Sequence, residues 1–366
     1  MKRILALFLC IVTLLSFVGC DNTYDPVEST EEEATTVFKI TVEGTSYRVK
    51  YELYRAFFLN MRETVDGGDE SVWHGENKDE YIAKIDAIVF ATIADIYSVL
   101  HEAKKIGIDP YSDDFDDKVE KYVKIGVEGG MYNDTVIEGF GGDYGKYLAA
   151  LKAANTNYSV QDLLIRYSLA YGELTKYYAG YVKDESTGDR VEGKIEYTEQ
   201  IVEDFYFGDG SARVLCAYLP SSTTKDLNKL RADILSAANY GDSVVRQVIG
   251  GQSQSLVYDV DNGELIGRYS RDAVYYGELI NAAFNLKRFE VSEIISITSD
   301  TGSGYYILYK LDKDRNNFEN CYDDIVEIYK QNEIGKMLNR TATELQSNIE
   351  FSDFFKSLDR ASISMN

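Results

Sequence analysis

A stretch of about a hundred residues, from Ala212 to Lys313, constrains the fold of this chain more than any other part of it. It begins with an alternating strand pattern, Val214 to Leu219, which Pro220 ends, and it closes with the strand pattern Gly304 to Lys310. Between these patterns are a helix pattern, a glycine-containing turn and a short apolar helix. The order strand, helix, turn, short helix and returning strand predicts a compact α+β unit of the size of one domain.

The same stretch carries short motifs in the order found in the parvulin-type peptidyl-prolyl isomerase domain, which it resembles. The segments that carry the resemblance are Arg213 to Leu219, Gly241 to Val244, Gly263 to Ser270, Phe284 to Leu286 with Glu290 to Ser292, and Ser303 to Ile307. The third segment is similar to the family's Gly-Asp-Leu-Gly-x-Phe turn with one residue inserted. The resemblance implies a small sheet that binds a proline-containing peptide and speeds rotation about its peptide bond, a barrier of about 18–20 kcal/mol.

The resemblance also implies where an isomerase site would be. The two histidines that face each other in the family correspond here to Cys216 and Tyr306, and a family serine is retained at Ser303. These three residues are the candidate catalytic residues. The candidate substrate-binding residues are Tyr275, Leu279, Phe284 and Leu265.

Two interpretations of this altered site remain open. In one, the candidate catalytic residues and Tyr275 form a replacement network that keeps some activity. In the other, the fold serves as a peptide-binding module without catalysis, and the two positions are simply core strand residues. Cysteine titrates near ~8.5 and tyrosine near ~10, so neither reproduces a neutral imidazole, and the only histidines, His74 and His101, lie far upstream. We therefore predict weak or absent isomerase activity.

The first twenty residues are typical of a bacterial secretion signal. Lys2 and Arg3 precede an apolar run that is too short to span a membrane, and Cys20 follows a small residue, as in the lipobox of lipoproteins. We expect residues 1–19 to be a lipoprotein signal peptide, Cys20 to be lipidated, and the acidic residues 20–36 to be a flexible tether. The protein would then be extracytoplasmic, held by lipid at the outer face of the bacterial cell membrane.

Amphipathic helix patterns flank the α+β unit on both sides. The clearest runs from Tyr81 to Lys105 and is followed by Gly107, and another runs from Phe318 to Leu345. Because an isolated amphipathic helix is marginal in water, the second helix is expected to pack on the first part of the chain. The predicted fold is therefore α+β: a discontinuous, mostly helical chaperone module (residues 37–208 and 314–366) with a parvulin-like α/β domain (residues 209–313) inserted in it.

This layout resembles the PrsA/SurA family of extracytoplasmic foldases. The resemblance implies a membrane-anchored chaperone that binds unfolded or partly folded secreted polypeptides and carries a peptidyl-prolyl cis-trans isomerase, or rotamase, domain. The alternative is a non-catalytic surface lipoprotein that acts as a binding or assembly module for one specific partner. A formal net charge of −23 argues against nucleic acid as a partner, because such binding depends on cationic contacts with phosphate.

The sequence indicates neither a cofactor nor a metal site. The acid-rich segment Asp109 to Glu120 has Asp114 where a calcium-binding loop requires glycine. No nucleophile–base pair typical of a hydrolase is recognisable from spacing. Apart from Cys10 of the leader and Cys20, which we expect to be lipidated, Cys216 and Cys321 remain, and whether they pair is left open.

Overall fold

The structure is a computed structural model that describes residues 24–66, 69–132, 135–184, 188–252, 263–271, 277–297 and 304–363. Its helices are α1 (Tyr51–Asp66), α2 (Lys78–Lys105), α3 (Asp113–Glu128), α4 (Tyr144–Ala153), α5 (Tyr158–Ala179), α6 (Glu199–Phe207), α7 (Leu227–Ala238), α8 (Asp242–Gln252), α9 (Gly277–Asn285), α10 (Arg315–Asn320), α11 (Tyr322–Ser347) and α12 (Asp353–Ser357). Its strands are β1 (Thr36–Val42), β2 (Thr45–Lys50), β3 (Gly130–Tyr132), β4 (Thr135–Ile137), β5 (Gly180–Asp184), β6 (Asp189–Glu192), β7 (Ser211–Pro220), β8 (Glu264–Gly267), β9 (Ile295–Ile297), β10 (Gly304–Lys310) and β11 (Ile349–Phe351).

The fold is α+β, and the chain divides into two compact units. Among the described residues, the first unit contains those up to Leu174 together with those from Leu338 onward. The second unit is continuous and contains Thr175–Met337. The first unit is therefore discontinuous in sequence, in agreement with the predicted fold class.

The first unit contains a three-stranded antiparallel sheet that joins the two ends of the chain. Its strand order is β11-β1-β2, and Phe38 of β1 lies opposite Phe351 of β11. Alternate side chains of β1 point into the core, where Phe38, Ile40 and Val42 are each 1% exposed. Because β1 is the central strand, this sheet is complete only when the C-terminal segment is in place.

An aromatic cluster packs on this sheet. Phe38 makes edge-on ring contacts with four other members, at centroid distances of 6.5, 5.3, 5.9 and 6.0 Å for Tyr54, Phe90, Phe351 and Phe355, respectively. These side chains come from β1, α1, α2, β11 and α12. The cluster therefore connects the helices of the first half to the C-terminal segment, and such aromatic pairs contribute beyond the apolar area they bury.

Helix α2 confirms the most strongly patterned prediction. Its predicted apolar stripe is buried throughout: Ile82, Ile85, Val89, Ile93, Tyr97 and Leu100. The helix ends at Lys105, and Gly107 follows with φ 85°, while its N–H donates to the carbonyl of Lys104 over 3.1 Å. This is the left-handed glycine at a helix C-terminus that the sequence predicted.

The predicted helix Phe318 to Leu345 is interrupted. Helices α10 and α11 meet at Cys321, whose φ of −116° is not helical, and Asp314 caps α10 by accepting from the N–H of Asn317 over 2.8 Å. The C-terminal part of α11 packs in the first unit as expected. There, buried Thr341 donates to the buried Glu102 carboxylate of α2 over 2.6 Å.

The prediction of a flexible tether is wrong for the part of residues 20–36 that the structure describes. Tyr24 is 8% exposed in a cluster with side chains of α3, α4 and α5, and its hydroxyl donates to Glu128 over 3.0 Å. Further along, Thr30 and Glu33 close a turn through reciprocal backbone and side-chain hydrogen bonds. Acidic composition indicated a solvated segment, but one aromatic anchor and this turn fix the segment on the helices.

The second unit contains a four-stranded antiparallel sheet with the order β8-β7-β10-β9. Helices α7 and α8 cover one face, where Leu230, Ile234 and Val245 pack on Leu215 and Ile307. Helix α9 covers the other face. Strand β7 is buried on both faces because it is central, which explains its nearly continuous apolar sequence.

The boundaries between the two compact units lie at 174/175 and 337/338, whereas the predicted domain boundaries lie at 208/209 and 313/314. Helix α6, α10 and the start of α11 share one cluster, in which Val202, Tyr206, Phe318 and Ile325 are almost fully buried. The hydroxyl of Tyr206 also donates to Asn317 over 2.7 Å. Because these helices pack on one another and on Leu265 of β8, they belong to the same unit as the sheet.

Within the described ranges, no helix is both long enough and apolar enough to cross a bilayer. The predicted signal peptide and Cys20 lie outside these ranges. The two remaining cysteines are free thiols, Cys216 buried and Cys321 half-buried.

Candidate functional site

The register of β7 and β10 brings the two candidate catalytic positions onto one face of the sheet. Cys216 lies opposite Leu308, and Tyr306 lies opposite Tyr218. Paired residues of antiparallel strands project to the same face, as do residues two apart along a strand, so these four side chains share a face. Helix α9 covers that face through Leu279, which is 1% exposed. We call the surface formed by these five residues the Cys216 face.

The Cys216 face is closely packed. Cys216 is 3% and Tyr306 is 4% exposed, and the rings of Tyr306 and Tyr218 have centroids 5.0 Å apart. Burial, with a smaller contribution from the Glu264 carboxylate, raises the pKa of the Cys216 thiol. The thiol is therefore neutral at physiological pH and is neither a general base nor an activated nucleophile.

Phe284 lies at the other end of the same face, next to two cationic side chains. The Arg268 guanidinium lies 4.2 Å and the Lys310 ammonium 5.5 Å from its ring centroid. Lys310 also donates to the carbonyl of Ala283, near the end of α9. Burial, and secondarily Arg268, lowers the pKa of Lys310. The C-terminal carbonyls of α9 and the aromatic ring account for the position of this lysine.

The structure does not bring Leu265 to the Cys216 face. Leu265 lies opposite Arg213 and packs against the cluster of α6 and α10, whereas the next residue, Ile266, is 1% exposed on the Cys216 face. A shift of one residue moves a strand side chain to the other face. The inserted residue in the Gly263 to Ser270 motif was the sequence signal of this shift. Tyr218 and Leu308 of the Cys216 face, and Ile266 in the same cluster, are positions that the sequence analysis did not predict as site residues.

Three of the predicted residues, Ser303, Tyr275 and Cys20, lie outside the residues that the structure describes. His101 is 5% exposed and bonds through Nδ1 to the Tyr47 hydroxyl at 2.9 Å, so a structural role accounts for it. Among the residues that the structure describes, no group of three or more His, Cys, Asp or Glu side chains is arranged to hold a metal ion.

A second candidate site lies within the first unit. A cleft of about 1470 Å³ is lined by three segments: residues 27–35, which include the docked turn, residues 148–158 at the α4–α5 connection, and residues 354–363 near the C-terminus; Tyr51 and Arg55 of α1 complete the lining. We call it the N-terminal cleft. The sequence analysis did not predict it, because its walls come from segments that are far apart in the chain.

Neither a protein-family model nor a curated protein matches the chain. The chain is similar to solved structures of PrsA proteins, the class to which the predicted layout also pointed. For the foldase protein PrsA from Streptococcus pneumoniae, identity is 16% and the TM-score is 0.27, covering 88% of this chain and 96% of that chain. For the foldase protein PrsA from Lactococcus lactis, identity is 14% and the TM-score is 0.22, covering 87% of this chain and 96% of that chain. For the peptidylprolyl isomerase PrsA from Bacillus anthracis, identity is 18% and the TM-score is 0.23, covering 73% of this chain and 100% of that chain. Similarity at these TM-scores leaves function to be argued from the chain's own residues.

Proposed function

We propose that this protein is an extracytoplasmic foldase: a chaperone that binds unfolded or partly folded secreted polypeptides and carries a parvulin-like unit with weak or absent isomerase activity. The observation that carries the proposal is the Cys216 face. The two positions that correspond to the family's paired histidines lie on adjacent antiparallel strands, on one face, under a short helix that supplies Leu279.

Weak or absent catalysis follows from the chemistry of this face. An isomerase must bind the twisted amide more tightly than the planar one. A neutral, buried thiol is only a weak hydrogen-bond donor, and the Tyr306 side chain is almost completely removed from solvent. These features favour a unit that binds peptides, or merely packs, over one that catalyses rotation.

The anchoring part of the proposal is supported by sequence alone. Lipidation at Cys20 with more than one acyl chain would hold the protein stably at a membrane, since a single chain gives only reversible binding. Metabolic labelling with a fatty-acid analogue tests it. Label incorporated into the full-length chain and lost in Cys20→Ser supports the anchor, and equal labelling of both contradicts it.

Two assays on the full mature chain test the remainder. In a protease-free prolyl isomerisation assay, we expect a rate at or slightly above that of buffer, with little change in Cys216→Ala and Tyr306→Phe. A rate typical of an efficient isomerase that both substitutions abolish would contradict weak catalysis. In the second assay, we expect suppressed aggregation of several unrelated unfolded proteins. Capture of one folded partner, with no effect on aggregation, would favour the alternative binding module.

A further inference from the structure

Three cationic side chains lie together at one end of the sheet in the second unit. Arg268 follows β8, Lys310 ends β10, and Lys313 comes three residues later. These positions are close because neighbouring strands are antiparallel, so β7 begins where β8 and β10 end. Arg268 is exposed, and both lysines are half-buried. We call Arg268, Lys310 and Lys313 the Lys313 cluster.

Neutral backbone carbonyls, rather than carboxylates, hold the Lys313 cluster in place. Lys313 donates to the carbonyls of Gly208 and Ser211, each over 2.7 Å, and Arg268 donates to a carbonyl between these two over 3.1 Å. Among the residues that the structure describes, no member of the cluster forms an ion pair. An ammonium group has three donors, so Lys313 keeps one for a further acceptor and Lys310, which bonds to one carbonyl of α9, keeps two.

The carboxylates next to Lys313 in the sequence are used by other cations. Asp312 pairs with the Arg288 guanidinium over 2.7 Å. Asp314 pairs with Arg213 over 2.8 Å. The Lys313 cluster therefore keeps a local surplus of positive charge, although the chain as a whole has a formal net charge of −23.

The pKa values of the two lysines agree with this surplus. Burial, and secondarily Lys310, lowers the pKa of Lys313 to about 8. The exposed Asp209 carboxylate acts on both lysines in the opposite direction, but it does not cancel the effect and forms an ion pair with neither. An anion bound among the cations would stabilise their charged forms.

The surroundings of the cluster favour one kind of anion. The half-buried Phe284 ring lies 4.2 Å from the Arg268 guanidinium and 5.5 Å from the Lys310 ammonium, and gives the cluster an apolar border. A polyanion would be repelled by the net charge of the whole protein. A single carboxylate on an otherwise neutral segment meets mainly the local field, because salt screens the more distant charges.

We propose that the Lys313 cluster binds the carboxylate of an aspartate or glutamate in an extended, unfolded polypeptide segment that also carries apolar side chains. The two ammonium groups and the guanidinium would donate to the carboxylate oxygens, and Phe284 would contact a neighbouring apolar side chain. This rests on the proposed chaperone function and adds to it a chemical feature of the bound segment and the place where it binds.

The test uses the full mature chain and two dye-labelled, unstructured peptides in a fluorescence anisotropy titration. One peptide carries glutamates and phenylalanines in a Gly-Ser background, and the other has glutamine in place of each glutamate. We expect the glutamate peptide to bind about fivefold more tightly at low salt, and salt to reduce the difference. Because the protein as a whole is acidic, a preference for the acidic peptide requires a local cationic site.

Substitutions locate that site. Lys313→Gln and Arg268→Gln should each lower the preference to about twofold or less, while Lys313→Arg keeps the charge and should retain it. The control Lys229→Gln removes one positive charge from an exposed position on α7, which covers the opposite face of the sheet, and should also retain the preference. Urea unfolding of each variant checks that the second unit remains folded.

A pH series gives a second readout that a purely structural lysine would not produce. Between about pH 7 and about pH 9 Lys313 passes through its pKa and loses its charge, whereas the peptide glutamates stay ionised. The preference for the glutamate peptide should therefore fall by about half over this range in the unmodified chain. In Lys313→Arg it should stay constant, since a guanidinium keeps its charge.

Three results would overturn the proposal: equal binding of both peptides, a preference that Lys313→Gln leaves unchanged, or an equal loss in the Lys229→Gln control. In each case, suppression of aggregation by the same chains would leave the proposed function standing. Absence of that suppression in the unmodified chain would remove the proposed function instead.

Discussion

The Cys216 face and the N-terminal cleft differ in how their polar groups are used. On the Cys216 face the thiol is buried and neutral, and charge is present only at its edge, in the Lys313 cluster. The lining of the N-terminal cleft instead carries charged side chains of both signs that are open to water: Glu28, Glu31, Glu32 and Lys152. Charged side chains that face water are accessible to a partner, whereas buried and satisfied ones have a role in the fold. By this measure, the cleft and the charged edge of the Cys216 face are better candidates for binding than the buried centre of that face.

The largest effect is expected in the aromatic cluster that supports the unit containing the cleft. Phe38→Ala removes a 1% exposed ring that contacts four other rings, and should lower the free energy of unfolding of the first unit by about 3–5 kcal/mol. Hydrogen exchange at the amides of α1 and α2 measures this loss. Phe351→Ala is the matched control, because that ring is 37% exposed and should cost less than half as much. Equal losses would contradict the central role of Phe38 in the cluster.

A smaller effect distinguishes the two faces of the sheet in the second unit. Ile266→Ala empties a position that is 1% exposed on the Cys216 face and should destabilise by about 2–4 kcal/mol. Leu265→Ala, at a half-buried position on the other side, should cost less. Urea unfolding followed by tyrosine fluorescence measures both. If Leu265→Ala is the more damaging substitution, the register of β8 described above is wrong.

The smallest effect concerns the ionisation of Cys216. In the folded chain its pKa lies above the unfolded value of about 8.5, so below that pH both states are protonated and the thiol adds no pH dependence. As pH rises above ~8.5, only the unfolded state loses the proton, and stability falls by up to about 1.4 kcal/mol per pH unit. Cys216→Ala should remove this part of the slope between about pH 8.5 and 9.5.

Thiol labelling provides an independent check on the same residue. In the native chain a thiol reagent should modify half-buried Cys321 well before Cys216. An unchanged pH slope in Cys216→Ala, or fast labelling of Cys216, would mean that the thiol is accessible. Cys216 would then again be a candidate catalytic residue.

Sequence patterns predicted the features that depend on near neighbours along the chain. The stripe of α2 and the strands β7 and β10 follow from the spacing of apolar residues, and their pairing follows from the family resemblance. The place of Leu265 was missed because a single inserted residue reverses which face a strand side chain occupies. The break at Cys321 was missed because the apolar pattern continues across it, while the Asp314 cap fixes a separate short helix.

The N-terminal cleft and the docking of Tyr24 were beyond sequence reasoning for a different reason. Both depend on contacts between segments that are distant in the chain, and a polar, acidic composition is compatible with a free or a docked segment. A lone tyrosine in an acidic stretch was the one available signal of docking.

The position of β1 between β2 and β11 has a consequence for the folding of the newly synthesised chain. Synthesis delivers the amino end first, so β1 can pair at once with β2 but must wait for almost the entire chain before β11 is available. Until then one edge of β1 offers unpaired backbone groups to any neighbouring strand. The newly synthesised chain therefore passes through the same exposed state from which, in the proposed function, it protects other polypeptides.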